Sequence, residues 1–163
     1  MAEENTCDLK ALKKEYEIFK KKYDLPEFKE INELFDIEDI DIDTDFLLRR
    51  IRRVVSERIE GYLKFIDMIL NPANAPMFFF QLIKKLDNKD KEEFTEVYEK
   101  LGSIEIELIQ IELDYSEKNE ADFINKYYKS FKDEIKPKLL SIIKKLDNAK
   151  ESSRRFSDSS YFG

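Results

Sequence analysis

The chain of 163 residues has no histidine, one cysteine, three glycines and four prolines. Without histidine it loses the commonest general base, the Ser-His and Cys-His pairs and the commonest zinc ligand. A single cysteine, Cys7, leaves zinc fingers and iron–sulfur ligation by one chain out of reach, and no intrachain disulfide can form. A ferritin-like di-iron site needs Glu-x-x-His pairs, so it is excluded too. Three unclustered glycines cannot build a phosphate loop, and glycine and proline together are too few for the turns of an all-β protein. No apolar run approaches a membrane span, and MAEENTCDLK lacks a signal-peptide core. The expectation is a cytosolic, non-membrane protein in a reducing compartment.

Charge and helical periodicity are what the chain has instead. Charged residues make up 40% of it and apolar residues 42%, enough for a core wrapped in wet helix faces. Such a surface also fits a thermophile. Its length predicts one domain that buries roughly 70% of the unfolded surface. The net charge of −7, from 29 basic and 36 acidic residues, argues against a general nucleic-acid binder while leaving room for a local basic patch.

Residues 44–70 organise the rest. Leu47, Ile51, Val54, Ile59, Tyr62, Ile66 and Ile69 recur at three- and four-residue steps, with Leu48 and Val55 widening the stripe. Arg49, Arg52 and Arg53 fall off its centre. That period predicts a core-facing helix about 40 Å long. Long helices are also predicted over 90–115 and 117–147, the second capped by Ser116. Short ones are expected at 8–23, from Pro26 to Phe35 and from Pro76 to Leu86. Leu25-Pro26 ends the first of these. The acidic stretch 36–45 reads as an extended linker clipped down by Ile37, Ile40 and Ile42, with Thr44 or Asp45 capping the long helix. In 103–115, Ile104, Ile106 and Leu108 alternate with glutamate as a strand would, but glutamate is poor in strands and the helical stripe continues. Pro137 lacks an amide and would clash with the carbonyl of Asp133, which predicts a kink or a restart. The fold class expected is all-α: an antiparallel bundle of three long helices with short helices packed across it. The domain should span 1–148, followed by a disordered tail over 149–163, which has no Ile, Leu, Val or Met. No internal repeat is present.

Few residues stand out as candidate sites. Asp41-x-Asp43-x-Asp45 matches the first ligand positions of a calcium loop. Phe46 stands where the loop needs glycine and Arg52 where it needs glutamate, so no metal is expected. Arg49, Arg50, Arg52, Arg53 and Arg58 form a basic cluster that suits RNA phosphate or an acidic partner. The plainer reading is preferred: the acidic run before them neutralises them, with Asp45–Arg49 and Arg53–Glu57 at four-residue spacing. Met77 to Phe80 puts four large apolar residues in a row, which reads as core more readily than as a partner patch. In the tail, Phe156, Tyr161 and Phe162 are anchors for a short binding segment. Ser157, after Arg154-Arg155, suits a basic-directed kinase that would add about −1.5 to −2 charges.

The pieces FDIEDID, TDFLLRRIRR, ILNP and EADFI, in this order, resemble a group of small uncharacterised helical proteins from archaea. The resemblance covers most of the chain, rests on linker and helix-surface residues, and implies only a cytosolic setting. The functional expectation is a non-enzymatic interaction module or adaptor without cofactor, working through a helical face and the C-terminal segment on a protein partner. Two alternatives stand beside it. One is an accessory factor of the ribosome or another RNA–protein machine that uses the Arg49–Arg53 cluster. The other is a carboxylate-dependent enzyme.

Overall fold

The computed structural model describes the backbone of residues 2–40 and 46–158, and side chains from 9 to 148 except at 41–45, 74 and 78. Among these residues there is no strand. Seven α-helices follow one another: α1 (Ala2–Tyr23), α2 (Phe28–Phe35), α3 (Leu47–Leu70), α4 (Met77–Ile83), α5 (Asn88–Leu113), α6 (Glu117–Ser130) and α7 (Lys136–Asp158). The chain is an all-α helical bundle, and the alternating stretch after Ser103 lies inside α5. Ile104 and Leu108 are buried there while Ile106 is exposed, which is how a helix sorts residues two apart. The expected restart at Pro137 takes the form of a π-helical turn, Phe131–Ile135, before α7 begins one residue ahead of the proline.

The helix ends follow from local chemistry. Asp24 and Asp36 adopt the left-handed conformation, φ 53° and 52°, just past α1 and α2. The Leu25 amide then bonds the Lys20 carbonyl at 3.3 Å, and the Asp36 amide bonds that of Asn32 at 2.8 Å. Ser116 caps α6 by accepting from the Asn119 amide at 3.0 Å. Asp87 and Asp90 cap α5 reciprocally, each carboxylate accepting from the other's amide.

The fold divides into two compact units, residues 1–60 with 104–132 and residues 61–103 with 133–163. The divisions fall inside helices, beside Gly61 in α3, just after Gly102 in α5 and within the π-helical turn. In the first unit Leu12, Tyr16, Ile31, Phe35, Ile37, Ile51, Val55, Ile59, Phe123 and Ile124 are buried. Tyr16 packs edge-on against Phe28 and donates to the Pro26 carbonyl at 2.8 Å. Burial pushes its phenol well above the usual range. Ile37 and Ile40 are buried as expected, although Ile37–Asp39 is a 3₁₀ turn rather than extended chain. The Thr44 or Asp45 cap lies outside the described residues.

In the second unit α4 packs on α7. Ile66, Ile69, Phe94, Val97, Leu101, Ile135, Leu139 and Ile142 fill its core. Its ion pairs ring that core from outside: Lys138 with Glu96 at 2.7 Å, Lys145 with Asp90 at 2.8 Å and with Glu93, and Lys100 with Glu134. The expectation of core over Met77–Phe80 needs correction at Met77 and Phe80; Phe79 is half-buried edge-on against Phe65, and the Phe78 side chain lies outside the described residues. Leu82 and Ile83 make the buried side of α4, whereas Met77 is 74% exposed and Phe80 is also exposed. A helix of seven residues cannot turn four consecutive side chains inward, and its inward positions come later.

The backbone of α7 reaches Asp158, past the point where the sequence places a tail. The side chains of 149–158 and all of 159–163 lie outside the described residues. With them go Phe156, Ser157, Tyr161 and Phe162.

Candidate functional site

The arginine cluster on α3 divides into two kinds. Arg52 is 3% exposed, and its Nε lies 2.7 Å from Oε2 of Glu120, which is 0% exposed. Its Nη1 donates to Glu112 Oε1 at 3.2 Å. Arg49 approaches the other Glu120 oxygen at 3.9 Å and stacks on Tyr115, 3.9 Å from the ring centroid, with Phe46 at 5.3 Å. Arg58 bridges Asp36. Arg50 and Arg53, by contrast, are exposed and have no ion-pair partner among the described residues.

The placement of Arg52 off the helix stripe therefore needs correction. Residue 52 is one turn from Leu48 and from Val55, on the buried side. Balance by neighbouring acids holds for Arg58, whose partner belongs to the acidic run. For Arg52 and Arg49 the counter-charges come instead from Glu112 on α5 and Glu120 on α6. The Arg53–Glu57 pair does not form, and Asp45–Arg49 lies outside the described residues, as does the calcium-like Asp41–Asp45 stretch.

Glu120 is the chain's unusual carboxyl. Burial pushes its pKa up, and the Arg52 and Arg49 guanidiniums pull it only part of the way back. No aligned hydrogen bond reaches either of its oxygens from another protein group, so Arg52 holds it by charge and proximity. A raised carboxyl is the mark of a general acid, but this one is sealed from any substrate. Its surroundings make it a structural charge that joins α3 to α6.

Two clefts flank this network. Arg50 and Arg53 line one of about 310 Å³ together with Asp36, Asp39 and Glu57. Three carboxylates outnumber the two guanidiniums there, which disfavours a phosphate. The second, about 390 Å³, lies between α5 and α6 and is lined by Glu107, Asp114, Asn119, Asp122 and Lys126. Glu107 accepts from Lys126 at 2.5 Å and from Tyr127 at 2.6 Å. Burial works to raise it, but those two donors hold it below the ordinary carboxylate range. Among the described residues no three His, Cys, Asp or Glu side chains are placed to hold a metal ion.

The remaining conspicuous feature is apolar and exposed. On α5, Ile104, Leu108 and Ile111 face the core, while Ile106, Ile109 and Leu113 form a second stripe at three- and four-residue spacing. These three are 63%, 58% and 83% exposed. Just past the end of α5, Tyr115 is also exposed and packs edge-on against exposed Phe46, at 6.0 Å. In the second unit Met77, Phe80, Leu140 and Ile143 are exposed. The α5 stripe is not among the sequence-based expectations: Ile106 enters them only through the strand-like alternation with Ile104 and Leu108, and Ile109 and Leu113 are not singled out. The three-then-four spacing of 106, 109 and 113 was the available signal.

Comparison with protein-family models, with curated proteins and with solved structures finds no match for this chain. Among the described residues no helix is long and apolar enough to cross a membrane.

Proposed function

We propose that the chain is a non-enzymatic protein-interaction module whose working surface is the outer face of α5. The observation that carries this reading is the exposed stripe Ile106–Ile109–Leu113 on a helix whose opposite side is already packed. Large apolar side chains in a row on a wet face cost solubility and lend the fold nothing, so a covering partner is the physical reason for them. Tyr115, Phe46 and Arg49 near the end of the same helix are residue types that anchor interfaces. The C-terminal segment, with Phe156, Ser157, Tyr161 and Phe162, joins the proposal on its sequence alone, and so does a cytosolic setting.

The ribosome or RNA-machine alternative keeps a narrower footing. Arg49, Arg52 and Arg58 are engaged within the fold, which leaves Arg50 and Arg53 as its phosphate contacts. Affinity purification after nuclease treatment separates the two readings. Loss of partners from the Ile109→Ser/Leu113→Ser chain, with retention by Arg50→Glu/Arg53→Glu, supports the α5 surface. The reverse pattern supports RNA.

A further inference from the structure

The borders of the α5 stripe carry information about what covers it. Between Ser103 and Asp114 the chain has Glu105, Glu107, Glu112 and Asp114 and no lysine or arginine. Helical geometry at about 100° per residue sets Glu105 and Glu112 along one border of the stripe and Gln110 along the other, with Asp114 just past the end of α5. Glu107 points away, toward Lys126 and Tyr127. Glu112 is ion-paired to Arg52 beneath it, while Glu105 on the border and Asp114 past the helix end have no ion pair among the described residues. The surface is thus an apolar row about 10 Å long, and the charged residues that α5 sets beside it are acids.

We infer that this face takes an amphipathic helix of another protein whose apolar seam is bordered by lysine or arginine. The inference rests on the reading of α5 as the interaction surface and adds the chemistry of the partner. Three-then-four spacing is the geometry of knobs that seat between the side chains of a facing helix. Acids along one border and at the end of the row, with no lysine or arginine in this stretch of α5, select the sign of that helix's flanking charges. They also disfavour the competitors. A second copy would set acids against acids, and RNA phosphates or an anionic membrane would be repelled.

The test uses the full chain and two fluorescent peptides of about three heptads, sharing one leucine–isoleucine seam. One is bordered by lysine and the other by glutamate. Anisotropy titration should give the lysine-bordered peptide an affinity at least about tenfold the higher. Raising the salt concentration should narrow that gap. Ile109→Ser/Leu113→Ser should weaken binding about tenfold or more, with unchanged circular dichroism. Glu105→Lys/Asp114→Lys should reverse the preference. Equal binding of both peptides that still depends on Ile109 overturns the basic partner and leaves the α5 surface standing. So does sedimentation showing a dimer that Ile109→Ser abolishes. Binding of neither peptide, or binding indifferent to Ile109 and Leu113, removes the inference. Loss of the α5 surface itself is then decided by the partner recovery described above, which does not depend on these peptides.

Discussion

The two compact units differ in what they do with charge beneath the surface. The second unit keeps its ion pairs on the outside, lysine to carboxylate between exposed or half-exposed side chains. Its core is uninterrupted Ile, Leu, Val and Phe. The first unit has outer pairs as well, Lys22 with Glu117 and Lys132 with Glu30, but it also sends one glutamate and one arginine inside. Both units leave large apolar residues out, the first in the α5 stripe. A buried ion pair adds little net stability against an apolar pair of the same size, but it fixes which helices meet and in what register. The difference teaches that the arginine-rich start of α3 is an internal fastening at Arg52 and Arg49 and a solvated surface only at Arg50 and Arg53. The surface proposed for a partner lies on α5.

The largest expected effect breaks that fastening. Glu120→Leu leaves Arg52 buried without its main counter-charge and should cost about 3–5 kcal/mol in urea unfolding. Arg52→Met added to it should restore most of the loss, or exceed it, because an apolar pair replaces both charges. No such rescue is expected in the second unit, where Phe94→Ala should cost about 3–5 kcal/mol through the cavity it leaves.

Smaller and opposite in sign is the filling of the two helix-interior glycines. A Cβ at Gly61 or at Gly102 meets no atom within 4 Å. Each alanine replacement should therefore stabilise by about 0.5–1 kcal/mol, measured by thermal unfolding. The outer ion pairs come last. Lys138→Ala should cost less than about 1 kcal/mol, and that little should vanish in high salt.

The units also differ in how protons act on them. Lysine partners hold Asp90 and Glu96 of the second unit below their ordinary values. Lys132 does the same for Glu30 and Lys22 for Glu117 in the first. A carboxyl lowered by folding adds stability above its unfolded value, near 4, and loses it as pH falls through the lowered folded value. Glu120 runs the other way. Its pKa is raised by burial, so its contribution is full below the unfolded value and is lost as pH rises through the folded one. Acid titration should therefore destabilise the Glu120→Leu/Arg52→Met chain more steeply than the parent, since one opposing group has gone.

Most of this architecture could be read from spacing. The long helices, the Ser116 cap and the break before Pro137 all follow from periodicity and from proline's missing amide. The buried pair was legible too, but by extrapolation. Carrying the stripe of Ile124, Tyr127 and Phe131 back one turn lands on Glu120, and carrying Val55 and Ile59 back lands on Arg52. Charge made both look like surface residues, because burial of a lone Arg or Glu is rare and its partner is distant in sequence. The α5 surface was hidden for another reason. A helix with apolar residues on two sides imitates the alternation of a strand, and only the packing of one side shows that the other is free.

A photo-crosslinking residue placed at Gln110, beside the α5 stripe, or at Arg53, in the cleft on α3, tests the central claim most directly. After nuclease treatment of native cells, the account predicts a discrete protein adduct from position 110 and none from position 53. An adduct from position 53 that disappears with nuclease, with none from position 110, would contradict it.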